Sequence, residues 1–236
     1  MSGSGYCTKR IRGARHNFGR CQRRDYVAKK DLKRGLLITF EGAEGSGKST
    51  QIKLLADYLT QRNFKVLVLR EPGSTTFSEG IRKILLDKKN HFICEKVELL
   101  LYLAARAQLV KEKIIPALKE KTIILCDRFQ DSTLVYQGCG LGLDKKMISM
   151  MGKFATGDIV PDLTFLLDIA AKEGLRRAGG SKDRIQGRSL TYHRRVRNGY
   201  LALARKYPKR IKVIQAKDIS RTHDEIKKLL EEFLCH

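Results

Sequence analysis

One stretch limits the fold more than any other: Gly42-Ala43-Glu44-Gly45-Ser46-Gly47-Lys48-Ser49, followed by Thr50, which fits G-x-x-x-x-G-K-[ST]. Glycines let backbone N–H groups close around a phosphate, and a helix starting there aims its positive end at the same point. The lysine neutralises β/γ-phosphate charge, and the hydroxyl after it suits Mg²⁺. Such a loop works between a strand and a helix. Leu36–Phe40 is a short apolar run suited to a buried strand, and Ile52, Leu55, Ala56 and Leu59 mark one face of an amphipathic helix. Alone, the loop says only that the chain binds a nucleoside triphosphate.

The pattern continues as alternating elements. Strands are expected at Lys65–Arg70, Thr122–Cys126, Leu163–Asp168 and Ile211–Gln215. Helices are expected at residues 78–86, at Glu95–Leu118, around 129–137 and 144–155, near 190–206, and through Ile226, Leu229, Leu230, Phe233 and Leu234. Strand–helix alternation predicts an α/β fold: a five-stranded parallel sheet with helices on both faces, a three-layer sandwich. The 236 residues suffice for one such domain.

Net charge is +23, and eleven Lys/Arg against two Asp fall in residues 1–34, which lack apolar periodicity. We read 1–34 as a disordered basic extension and 35–236 as the domain. The extension is open to three readings: a solvated leader, an arm for nucleic acid or a membrane surface, or an organelle-targeting peptide. A basic body suits polyanionic ligands. No apolar run approaches the ~18 residues of a membrane span. The six cysteines form no CxxC pair, so a reducing, cytoplasmic chain without disulfides is expected.

Asp127-Arg128 ends the third strand, at the sheet edge where open α/β folds bind ligands. Three stretches, Phe40–Thr50, Arg70-Glu71-Pro72-Gly73 and Asp127-Arg128-Phe129-Gln130-Asp131-Ser132-Thr133-Leu134-Val135-Tyr136-Gln137-Gly138, together resemble bacterial-type thymidylate kinases. The resemblance runs from about Gly35 to Leu234. It implies a P-loop NTPase fold with a basic lid, ATP with Mg²⁺ as phosphate donor, dTMP as acceptor, and a homodimer built on the long apolar helix. It puts Arg128 and Arg70 on the dTMP phosphate, with Arg82 as a further candidate, and Asp127 beside Ser49 at the metal. It makes Tyr102 the platform for thymine and Arg106 a donor to O4. Thymine offers an acceptor there, whereas cytosine offers an NH₂. Gln137 reads the remaining base edge, with Thr133 nearby. Tyr136 packs on the sugar and crowds a 2′-OH, and Glu44 accepts from the 3′-OH. Glu71-Pro72 is expected to be cis.

Residues 178–188 look like the family's lid. The variable phosphate-loop positions hold no arginine, so an arginine for the transferring phosphoryl comes from the lid, Arg184 first and Arg188 second. Ser74, Gln186 and Leu141 stand where the family more often has Gly, Glu and Arg. Two rivals remain. One is a kinase for dUMP, UMP or CMP. The other is a nucleic-acid-associated P-loop ATPase, against which stands the lack of an aromatic-interleaved basic patch. Neither a membrane nor nucleic acid is expected as a partner.

Overall fold

The computed structural model describes Met1, residues 32–179 and residues 183–235. The reading of the basic extension therefore falls almost wholly outside the described residues. Leu32 packs on the core, and Arg34 pairs with Asp162.

The five strands are β1 (Leu36–Glu41), β2 (Val66–Arg70), β3 (Ile123–Asp127), β4 (Leu163–Asp168) and β5 (Ile211–Gln215). They form one parallel sheet in the order β2-β3-β1-β4-β5. The helices are α1 (Lys48–Thr60), α2 (Thr76–Leu86), α3 (Glu95–Leu109), α4 (Ile115–Lys119), α5 (Gln130–Thr133), α6 (Lys145–Thr156), α7 (Ala171–Arg177), α8 (Leu190–Lys206) and α9 (Ile219–Leu234). The parallel, helix-flanked sheet is as the alternation predicts.

Side chains alternate across β1. Leu36, Ile38 and Phe40 join Ile52, Leu55 and Leu59 of α1 and Ile226 and Leu230 of α9 in one core. Leu37 turns to the other face, with Leu109, Val110, Ile114 and Ala117. Burial on both faces explains why β1 reads as a continuous apolar run. Each fully buried Leu, Ile or Phe contributes roughly 1.5–3 kcal/mol. Register then sets the site: Phe40 and Arg70 both pair with Asp127, so β1, β2 and β3 finish level, with β1 in the middle of the sheet.

Two expected helices differ in their backbone. The one expected over Glu95–Leu118 is α3, a π-helical turn at Val110–Ile114, and α4. Pro116 offers no N–H to the carbonyl of Glu112, and the wider turn absorbs that loss. Around 129–137, α5 passes at once into a π-helical stretch, Leu134–Gly140. Gly138 and Gly140 weaken α-helix there, and a Cβ on Gly140 would lie 2.5 Å from the Tyr192 ring. Helix α7 carried no signal that the periodicity argument used.

Candidate active site

The phosphate loop joins β1 to α1. Gly42 has φ 139°, and a Cβ there would sit 2.4 Å from the Leu167 carbonyl oxygen. Gly45 has φ 67° and meets α7 backbone to backbone: its Cβ would lie 2.1 Å from the Gly174 oxygen, and one on Gly174 would lie 2.4 Å from the Glu44 oxygen. Ala43 and Ser46 are buried, whereas Gly47, Ser49 and Thr50 are exposed at the start of α1. Gly47 caps α1 without a side-chain hydrogen bond, leaving first-turn N–H groups for an anion. The buried Lys48 Nζ donates to the carbonyls of Gly42 (3.1 Å) and Ala43 (3.0 Å) and to Ser46 Oγ (3.3 Å). Burial, then the charge of Arg128, pulls its pKa down to about 8.

A cavity of about 270 Å³ opens in front of this loop. Its walls include Glu44, Gly45, Lys48 and Ser49 of the loop and α1, together with Arg82, Tyr102, Arg106, Arg128, Thr133, Tyr136 and Gln137. Glu98, Tyr102 and Arg106 recur every four residues, so one face of α3 carries all three. Arg106 is 2% exposed. Its Nε donates to Glu71 Oε2 at 2.7 Å, one terminal nitrogen to Phe129 O at 3.2 Å and the other to Gln130 Oε1 at 2.5 Å. A buried guanidinium demands such partners. Glu71 precedes Pro72 across the expected cis bond.

Arg128 has φ 73°, a left-handed conformation that costs a non-glycine residue roughly 1–2 kcal/mol. The turn swings its guanidinium back over the loop, where it donates to Gly42 O (3.1 Å), Tyr200 Oη (3.2 Å), Ser132 Oγ (3.3 Å) and Glu44 Oε1 (3.0 Å). Tyr136 Oη also donates to Glu44, and its ring lies 4.9 Å from the Arg128 guanidinium carbon. Burial opposes the Glu44 charge, but Arg128, Lys48 and the Tyr136 hydroxyl together bring its pKa below the usual range. Underneath, Glu41 accepts from Phe129 N, Ser132 Oγ and Tyr200 Oη. Burial and the Asp131 charge push its pKa up to about 7.

Ser49 Oγ donates to Asp127 Oδ2 at 3.0 Å. A hydroxyl beside one carboxylate, open to the cavity, is a donor set that suits Mg²⁺ arriving on phosphates. Among the described residues no cluster of three or more His, Cys, Asp or Glu could hold a metal by itself.

Three arginines singled out from the sequence sit elsewhere. Arg70 lines an adjoining recess that shares Ser49 and Asp127, and it pairs with Glu79 at 3.0 Å. Arg184 and Arg188 are drawn to Glu98, each at 2.6 Å. The lid instead gives the cavity Asp183, Ile185 and Gln186. Burial and then the Arg70 charge lower the pKa of Arg82, which donates to Pro72 O at 2.9 Å. Glu98, Gln130, Ser132 and Tyr200 were not foreseen. A buried Arg106 signals that an acidic partner exists, without saying which.

A family model described as thymidylate kinase matches residues 40–226. A thymidylate kinase of Thermoanaerobacter sp. (strain X514) is 43% identical over 203 residues, covering 85% of this chain and all of the relative. One from Geobacter sulfurreducens is 48% identical over 192 residues, covering 78% of this chain and 90% of the relative. The crystal structure of thymidylate kinase from Ehrlichia chaffeensis superposes with TM-score 0.70 at 36% identity, covering 84% of this chain and 98% of that one. With its parallel sheet, its phosphate loop and the cavity in front of Lys48, the chain belongs to the thymidylate kinase family.

Proposed function

We propose that the chain, which phosphorylates dTMP with ATP, does so by holding two anions at one sheet edge and letting position and charge lower the barrier. Phosphoryl transfer asks little covalent work of a protein. One observation carries this reading: a single cavity is lined by Lys48, Ser49 and Arg128 and also by Tyr102, Arg106 and Gln137. The loop amides, Lys48 and Thr50 take the ATP phosphates, and Arg128, with Arg82, takes the acceptor phosphate. Tyr102 carries the base, Arg106 donates to its O4, and Thr133 and Gln137 complete its edge. Glu44 and Tyr136 fit the sugar. Ser49 and Asp127 would hold Mg²⁺, which when bound neutralises charge on the triphosphate.

Arg70 reaches the acceptor phosphate by leaving Glu79, and a lid arginine, Arg184 or Arg188, reaches the transferring phosphoryl by leaving Glu98. Asp183, Ile185 and Gln186 roof the cavity and keep water from the γ-phosphate. We place the catalytic unit in 35–236, with 1–34 as a basic extension. Among the described residues no helix is long and apolar enough to cross a membrane, and Cys94, Cys126, Cys139 and Cys235 are free thiols, which fits a cytoplasmic enzyme. A homodimer is favoured by the apolar side chains exposed on three adjacent helices: Phe77 and Ile84 of α2, Val97 and Leu100 of α3, Met150 and Phe154 of α6.

Coupled ADP release with a panel of monophosphates tests the reading. dTMP is expected to give the highest kcat/KM, and dCMP, UMP and CMP far lower values. ADP release that needs nucleic acid and ignores dTMP would overturn it.

A further inference from the structure

Gln137 lies in the π-helical stretch after α5, is 1% exposed and lines the cavity. Its Nε2 donates to Glu98 Oε1 at 2.9 Å. Its Oε1 is buried and has no hydrogen-bond partner. A buried amide oxygen without a donor is costly, and one in a cavity wall invites a donor from whatever fills the cavity.

The direction of this amide is set by Glu98, which is fully buried. Arg188 donates to it through both terminal nitrogens, at 2.6 and 3.2 Å, and Arg184 donates at 2.6 Å. Burial opposes the charge, yet Arg188, Gln137 and Arg184 together lower the carboxyl's pKa. An ionised carboxylate only accepts. It tolerates the NH₂ of Gln137 and repels its oxygen, so a flipped amide would set two acceptors face to face.

We infer that Glu98 is a positioning residue for base choice: it fixes Gln137 with the carbonyl oxygen toward the cavity, so that the site takes a pyrimidine bearing N3–H and refuses cytosine, whose N3 is an acceptor. Arg106, two turns along the same face of α3, is a donor only. The wall thus sets a donor beside an acceptor, the complement of a 4-keto, 3-NH edge. The inference deepens the dTMP reading above and rests on it.

The test is the ratio of kcat/KM for dTMP to that for dCMP in wild type and in Glu98→Gln, Glu98→Asp and Arg184→Met. An amide at 98 presents either polarity and frees Gln137 to turn, so the ratio in Glu98→Gln is expected to fall about tenfold or more. Glu98→Asp keeps the charge facing Arg188, and with it the fold, but withdraws the oxygen from Gln137 by one methylene. Its ratio is also expected to fall. Arg184→Met leaves Arg188 on Glu98, so both substrates should slow together at an unchanged ratio. A purely structural role for Glu98 predicts such parallel losses in all three variants. A folded Glu98 variant with the wild-type ratio overturns the inference. A wild type that does not discriminate dTMP from dCMP overturns the base reading itself.

Discussion

At Lys48 the phosphate loop holds a charge it does not favour without a ligand. Its pKa of about 8 is depressed from 10.5, so the folded chain binds fewer protons there than the unfolded chain. This contribution to stability is fully present above pH 10.5 and is lost as pH falls through about 8. A triphosphate favours the protonated form. ATP binding near pH 8 is therefore expected to take up part of a proton, and affinity is expected to fall as pH rises further. Titration calorimetry in two buffers of different ionisation enthalpy measures the uptake. A value near zero at pH 8, or one kept by Lys48→Met, would remove the assignment. Residues of this kind were legible in the sequence because a local motif carries them: Lys48 and Ser49 open α1 behind the phosphate loop, and the Asp127-Arg128 pair closes β3. Glu71 and Glu98 were not. Which carboxylate meets Arg106, Arg184 or Gln137 depends on how α3 packs against distant segments, and no short spacing encodes that.

Among the elements, the lid is where sequence and structure differ most. Composition marks 178–188 as a basic loop, and arginine is the side chain that phosphoryl transfer needs. Yet two of its arginines converge on α3, with Arg184 Nε also donating to the Leu85 carbonyl at 3.0 Å. A lid arginine is thus both a fastener and a candidate for chemistry. The two roles predict different kinetics. If Arg184 leaves Glu98 to meet the γ-phosphoryl, Arg184→Ala should lower kcat on the order of 10³-fold while ATP affinity changes little. If it only fastens the lid, KM should rise and kcat persist. Pre-steady-state kinetics with separate nucleotide-binding measurements distinguish them. The π-helical stretches were illegible for a related reason. Pro116 and Gly140 are visible in the sequence, but whether a helix breaks or widens around them depends on its neighbours.

The whole molecule was the most legible level, because alternation of apolar runs with amphipathic stripes leaves few arrangements other than a covered parallel sheet. Its outer helices are less self-sufficient. Leu100, half-exposed at 52%, and Phe154, at 93%, lie on α3 and α6, which pack together. Light scattering is expected to give a dimer mass for the chain and a monomer mass for Leu100→Glu. Equal masses would exclude α3 from the subunit contact. The charge and size of that substitution should leave the buried face of α3, and with it dTMP binding, largely in place.

Gly45 and Gly174 touch through their main chains, with no room for even one methyl group on either. The stem of the lid is consequently jointed to the nucleotide cradle, and neither can drift in evolution or design without dragging the other. Gly174→Ala, far from the loop in sequence, should behave as a cradle mutation: KM for ATP is expected to rise several-fold in steady-state assays, with a smaller rise in KM for dTMP, whose sugar is proposed to meet Glu44. Equal effects on both substrates would show the stem yielding instead. Lids of other lengths, grafted beyond Ala178, leave that joint intact, so this scaffold can exchange its cover without reshaping the loop beneath it.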